Sequence, residues 1–180
     1  MEKITVNNKE YTIIKLLGRG RGGYSYLTEH NGSYVVVKQI HHEPCSYYSF
    51  GNKIEAEKND YIRLVSAGIR VPEMIDIDLQ KERIVKEYIS GDTIYDMIAN
   101  NADVSGYYSQ IQAMAALAKA AGMNMDYFPT NFIPQNGLLY YVDYECNDYS
   151  GEWNYENWGK KYWARTPEFE NHLQKTKEGC

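Results

Sequence analysis

Gly18, Gly20 and Gly23 carry G-x-G-x-x-G spacing within the segment Leu17–Leu27. Glycine lets a backbone come close to phosphate oxygens and aim its N–H groups at them, which is the chemistry this spacing serves. The same spacing marks dinucleotide-binding folds, where it runs from a strand into a helix. Here strand-forming residues follow at once, Tyr24-Ser25-Tyr26-Leu27, so the glycines belong to a strand–loop–strand hairpin. A hairpin tip that binds nothing is the plain alternative. Further on, Lys38 closes the apolar run Val35-Val36-Val37. A lysine in a buried strand is costly unless its ammonium meets anions; at a strand end it can instead snorkel to solvent. Glu55 and Glu57 are the two candidates to pair with it. Glu57 lies one helical turn before Tyr61 and faces inward if Tyr61, Leu64 and Val65 pack, so Glu57 is the preferred partner.

These residues need elements to hold them. Strands are expected at Tyr11–Leu17 and Tyr24–Glu29, flanking the glycines. Asn31-Gly32 is a hairpin turn leading into a strand at Ser33–Ile40. From about Phe50 to Ala67 the apolar residues recur at helical spacing, and Gly68 supplies a left-handed stop. Two more strands follow, at Glu73–Leu79 and Arg83–Tyr88. After Gly91 the pattern turns helical: Thr93–Ala99, capped by Asp92, and Ser105–Ala121, closed by Gly122. A loop is expected over Met123–Asn131, then a short hairpin arm at Leu138–Val142 after Asn136-Gly137, and helical pieces in the aromatic stretch from Gly151. Strands first and helices second, with one helix inserted, make an α+β layout with a hinge at Glu87–Gly91.

Composition bounds the function. The 180 residues are 43% hydrophobic and 24% charged, as in ordinary globular chains. A net charge of −5 argues against direct nucleic-acid binding, which needs a basic surface. The 18 tyrosines suit half-buried sites where a ring packs and a hydroxyl stays wet. Cys45, Cys146 and Cys180 show no zinc-ligand spacing and read as reduced thiols. No signal-peptide core and no run of roughly 18 apolar residues is present, so a cytoplasmic protein without a membrane partner is expected.

Three further segments resemble parts of one family. Arg83-Ile84-Val85-Lys86-Glu87-Tyr88-Ile89-Ser90-Gly91 is similar to the hinge of protein kinases, an apolar strand ending in E-Y-x-x-G. Asp126 and Asn131 reproduce the D-x-x-x-x-N spacing of a kinase catalytic loop, and Asp143, in Val142-Asp143-Tyr144-Glu145, falls where the D-F-G aspartate belongs. Taken singly, Asp126–Asn131 reads equally as an Asx-type turn and Asp143 as a strand-end aspartate. Together with the glycines and Lys38, the set resembles the protein-kinase-like superfamily over roughly residues 11–150. That resemblance implies a two-lobe α+β fold: a strand-rich N-lobe with one helix over residues 1–88, and a reduced helical C-lobe over 89–180. It implies ATP and Mg²⁺ as cofactors and transfer of the γ-phosphate to a hydroxyl of a protein serine or threonine or of a small molecule, with a protein partner also in view. By the same resemblance Gly18, Gly20, Gly23, Lys38, Glu57, Glu87 and Ile89 bind the nucleotide. Lys38 and Asp126 are the catalytic groups, and Asn131 and Asp143 are the metal ligands.

The chain also departs from the family pattern. Asn124 stands where a histidine precedes the catalytic aspartate, Glu145 where D-F-G has glycine, and Lys86 beside the expected base pocket. Only a short segment follows Asp143, so the likeness is to miniature members: the small kinase of the KEOPS complex, the RIO kinases and lipopolysaccharide-type kinases. Asp-Tyr-Glu resembles the D-F-E of choline-kinase-type and aminoglycoside-phosphotransferase-like enzymes. A nucleotide-binding pseudokinase or a regulatory ATPase is the alternative these departures raise. Trp153, Trp158 and Trp163 are expected to staple the reduced lobe by aromatic burial, with an acceptor or partner surface there as the functional alternative.

Overall fold

A computed structural model describes residues 1–43 and 51–178. Cys45, Cys180 and the expected start of the first helix at Phe50 lie outside the described residues. The chain is α+β and divides into two compact units, one formed by residues 1–59 and 72–88, the other by 60–71 and the chain from Ile89 onward.

The first unit is a six-stranded antiparallel sheet that curls into a half-barrel. Its strands are β1 (Lys3–Val6), β2 (Lys9–Arg19), β3 (Gly23–His30), β4 (Ser33–Ile40), β5 (Met74–Asp78) and β6 (Arg83–Glu87), in the order β1-β2-β3-β4-β6-β5. The turn between β3 and β4 has Asn31 at φ 51° and Gly32 at φ 79°, the two positive φ values a tight hairpin needs to match strand twist. Strand β1 has no counterpart in the sequence expectations. Four residues ending at Asn7-Asn8 offer too short a pattern to read, yet Ile4 and Val6 reach the core. Curling brings the β1–β2 turn to the opposite edge. There the Asn7 side chain donates to Asp76 (2.8 Å) and to the Ile77 carbonyl (2.9 Å), and Lys9 pairs with Asp76 at 2.9 Å. The concave face closes over Ile4, Val6, Tyr11, Val37 and Val85. Val36 and Ile84, which point the other way, are buried too. A strand covered on both faces explains the uninterrupted valines of β4.

Helix α1 (Lys53–Ser66) crosses the boundary between the units, its residues through Asn59 grouping with the first. Asn52 caps it, its side chain accepting from the Glu55 N–H at 3.2 Å. Gly68 ends it at φ 81°. Val65, expected to pack, is exposed, whereas Leu64 is fully buried.

The second unit holds α2 (Ile94–Ala99), α3 (Tyr108–Ala120), a hairpin of β8 (Phe132–Gln135) and β9 (Leu138–Tyr141), a two-stranded sheet of β7 (Met123–Met125) and β10 (Cys146–Asp148), and α4 (Pro167–Glu178). The cap of α2 is Thr93 rather than Asp92: its hydroxyl accepts from the Asp96 N–H at 3.1 Å. The segment Ser105–Tyr107 is a 3₁₀ turn ahead of α3. Met123–Met125, expected as loop, forms a strand because Cys146–Asp148 supplies its ladder from over twenty residues away. In the aromatic stretch a π-turn (Tyr155–Gly159) and a 3₁₀ turn (Lys160–Tyr162) precede α4.

Trp163 does the stapling. It is 1% exposed, its indole N–H donates to the Tyr127 carbonyl at 2.8 Å, and its ring meets Phe132 edge-on at 5.1 Å. Trp153 is exposed and leans on Trp158, so only part of the expected aromatic burial occurs. No helix among the described residues is long and apolar enough to cross a membrane.

Candidate functional site

In the first unit the glycine turn, a lysine and a glutamate come together. Lys38 Nζ donates to Glu57 Oε1 at 2.8 Å, with the two side chains 12% and 11% exposed. Glu55 points elsewhere and sits 3.7 Å from Lys58. The ammonium lies directly beneath the turn: a Cβ built on Gly22 would be 3.5 Å from Lys38 Nζ.

The glycines differ in what requires them. At Gly23 a side chain would overlap the Gln39 carbonyl of the neighbouring strand, so the fold itself demands glycine. At Gly18 and Gly20 none of the described residues lies within 4 Å of an added Cβ, and neither has a left-handed φ. Among the described residues, packing and backbone conformation therefore leave glycine unexplained at 18 and 20, while close approach of a ligand to the main chain would explain it. Gly23→Ala is expected to cost about 1–3 kcal/mol through forced overlap. Gly20→Ala should stay within about 0.5 kcal/mol of the parent. Urea denaturation of the two variants checks this, and equal losses would mean the turn is packed alike at both positions.

A cluster at the mouth of this turn had no signal in the linear spacing. Arg19 and the Tyr24 hydroxyl both donate to Glu43, and the Arg19 guanidinium sits 5.4 Å from the Tyr24 ring. The Tyr24 hydroxyl, and after it Arg19, hold the Glu43 carboxyl below its ordinary range. A ring nitrogen of His41 bonds the Gly20 carbonyl at 2.9 Å, and Lys53 donates to the His41 carbonyl at 2.6 Å. These side chains anchor both flanks of the glycine turn. At the end of β6, the Glu87 N–H donates to the Glu73 carbonyl (2.9 Å), and the Glu87 carboxylate accepts from the Glu73 N–H (3.2 Å). Its side chain is thus engaged with main chain. Ile89 is buried in the second unit.

In the second unit Asp126, Asn131 and Asp143 gather around one tyrosine. Asp126 Oδ1 accepts from the Phe128 N–H at 3.1 Å, an Asx turn, and the Asn131 amide donates to the Asp126 carbonyl at 3.3 Å. The Asn131 carbonyl accepts from the Val142 N–H at 2.9 Å, which sets Asp143 next to this loop. Asp143 Oδ1 accepts from the Tyr144 N–H at 2.8 Å. Tyr141 ties the set together: its fully buried hydroxyl accepts from the Asp126 N–H (3.2 Å) and donates to the Glu145 carbonyl (2.7 Å). Burial first, and then the nearby Asp143 and Asp126, push this hydroxyl well above the ordinary tyrosine range, so it stays a neutral fixed strut. The alternation Leu139, Tyr141 along β9 was its only sequence signal.

Among the described residues no group of three or more His, Cys, Asp or Glu could hold a metal. Asn131 and Asp143 offer one amide oxygen and one carboxylate. That hard-oxygen donor set suits Mg²⁺, which keeps several waters and takes further oxygens from phosphates. Asn124 is 4% exposed and its amide donates to the Ser150 carbonyl at 2.8 Å, while its buried Oδ1 has no hydrogen-bond partner among the described residues. Cys146 is buried against Asp60, its Sγ 3.3 Å from Oδ1, and burial followed by that carboxylate pushes the thiol up to about 12. Both hold Cys146 as a neutral, buried thiol. Comparison with protein-family models and with curated proteins finds no match to this chain.

Proposed function

We propose that the chain is a two-lobe, protein-kinase-like phosphotransferase that uses ATP and Mg²⁺ to phosphorylate a hydroxyl of a protein or small molecule. The observation that carries this reading is the largely buried Lys38–Glu57 pair beneath a glycine turn whose Gly18 and Gly20 have, among the described residues, no packing reason to be glycine. In the proposed reaction the bond between the γ-phosphorus and the bridging oxygen of ATP breaks and a bond to the acceptor oxygen forms. The acceptor proton passes to Asp126. Lys38 neutralises phosphate oxygens, and Glu57 holds its ammonium in place. Asn131 and Asp143 would hold the metal, which supplies charge neutralisation at the phosphates.

A second reading, a nucleotide-binding pseudokinase, is favoured by Asn124. The residue in the histidine position is built into the β7–β10 sheet and leaves an acceptor without a partner among the described residues. Thermal unfolding with and without Mg²⁺-ATP tests what the two share, because a ligand bound only by the folded chain stabilises it by about 2.7 kcal/mol at a hundred times Kd. Stabilisation with label transfer supports the enzyme, and stabilisation without transfer supports the pseudokinase. No response at millimolar nucleotide overturns both.

A further inference from the structure

Tyr141 is fully buried in the second unit and takes no part in the proposed reaction. It is the last residue of β9, and Asp143 follows two residues on. Its ring and its main chain are both held. Across the hairpin it pairs with Phe132, also fully buried, whose ring lies 5.1 Å away. Its backbone N–H donates to the Arg70 carbonyl at 2.9 Å. The hydroxyl is carried by this support to one position. It stands between the Asp126 N–H at 3.2 Å and the Glu145 carbonyl at 2.7 Å.

The directions of these two bonds follow from the groups. A phenol has one hydrogen and a carbonyl only accepts, so the hydrogen goes to Glu145 and a lone pair meets the Asp126 N–H. Each bond polarises the hydroxyl in favour of the other. They join two segments with different tasks in the proposed reaction. Asp126 opens the turn that carries the base, and Glu145 lies two residues past the metal ligand Asp143. Asp126 is fixed at each of its groups: its N–H by Tyr141, its carbonyl by the Asn131 amide at 3.3 Å, and its Oδ1 by the Phe128 N–H at 3.1 Å. Removing the Tyr141 oxygen takes the partner from the Asp126 N–H and one partner from the Glu145 carbonyl, at a fully buried position. A buried N–H without an acceptor is costly, so the turn shifts to recover one. The Asp126 carboxylate then moves relative to Asp143.

We infer that Tyr141 is a positioning residue for phosphate transfer, its hydroxyl setting Asp126 against the segment that carries Asp143. The inference rests on the catalytic half of the proposed function. Transfer from γ-labelled Mg²⁺-ATP to the full chain itself, followed against nucleotide concentration, tests it in Tyr141→Phe, which removes one oxygen. The kcat should fall about 10²-fold, the loss that a misplacement of about 1 Å produces, while KM for Mg²⁺-ATP stays within about twofold. A merely structural loss would not give the next result. On an Asp126→Asn background, Tyr141→Phe should cost less than about threefold more, because residues that act as a unit are not additive. Phe132→Leu loosens the ring and keeps the hydroxyl, so kcat should fall by about tenfold at the same KM, and this variant carries the test if Tyr141→Phe does not fold. Ile111→Val, at a fully buried position in α3 that bonds none of these groups, should leave kcat within about twofold of the parent. Unchanged kcat in Tyr141→Phe would overturn the inference and leave the phosphotransferase reading standing. So would losses that multiply in full with Asp126→Asn, or a rise in KM at constant kcat. A parent that binds Mg²⁺-ATP and transfers no label would overturn the inference together with the enzyme reading, leaving the pseudokinase. A parent that binds no nucleotide would overturn both readings.

Discussion

Asp126→Asn is expected to lower phosphate transfer by about 10²–10⁴-fold, the usual contribution of a positioned general base, while Mg²⁺-nucleotide stabilises the variant as much as the parent. The substitution suits the local structure. Asp126 Oδ1 accepts from the Phe128 N–H, and an asparagine carbonyl accepts in the same place, so the turn survives. Its backbone N–H stays on the Tyr141 hydroxyl, and its carbonyl stays on the Asn131 amide. What is lost is the negative charge and the ability to take a proton. Label transfer to the chain itself or to an acceptor, measured beside the nucleotide-induced thermal shift, separates the two effects. Unchanged transfer would remove Asp126 from the mechanism. Loss of transfer together with loss of nucleotide stabilisation would give it a binding role instead.

Much of the fold was legible because local chemistry and tertiary packing agree. Asn31-Gly32 adopts the two positive φ values that its residue types favour, and the strand from Ser33 to Ile40 has the bounds its apolar run suggested. Gly68 and Gly122 both stop helices in the left-handed region. The missed strands share a physical cause. Strand β1 and the β7–β10 pair are three or four residues long, and such segments become strands only when a distant partner completes the ladder. The cap of α2 moved one residue because Asp92 and Thr93 are both good caps, and spacing alone does not choose between adjacent ones.

The candidate site was legible in its charged residues and hidden in its supports. Helical phase separated Glu57 from Glu55, since a buried lysine admits only the glutamate on the inward face. Tyr141 gave no comparable sign, because a tyrosine in a short strand reads as ordinary core until its hydroxyl is seen between Asp126 and Glu145. Glu43 is similar: three side chains from different segments give it a role that no spacing encodes.

Lys38→Met should separate what this lysine does for the fold from what it does for a ligand. Methionine keeps the apolar stem in the strand and deletes the ammonium, so the Glu57 carboxylate, 11% exposed, loses the partner that offsets its desolvation. Breaking a buried ion pair from one side costs about 3–5 kcal/mol. The remaining exposure of both groups lets water screen the loss, so about 2 kcal/mol is expected here. Lys38→Met with Glu57→Leu should recover most of that stability, because an apolar pair has no uncompensated charge to bury. Neither variant should be stabilised by Mg²⁺-nucleotide, since the group that would neutralise phosphate oxygens is absent from both. Urea denaturation and nucleotide-induced thermal shifts on the parent and the two variants give the comparison. Full nucleotide stabilisation in the double variant would make the Lys38–Glu57 pair an internal strut and take away the main support for a phosphate site beneath the glycine turn.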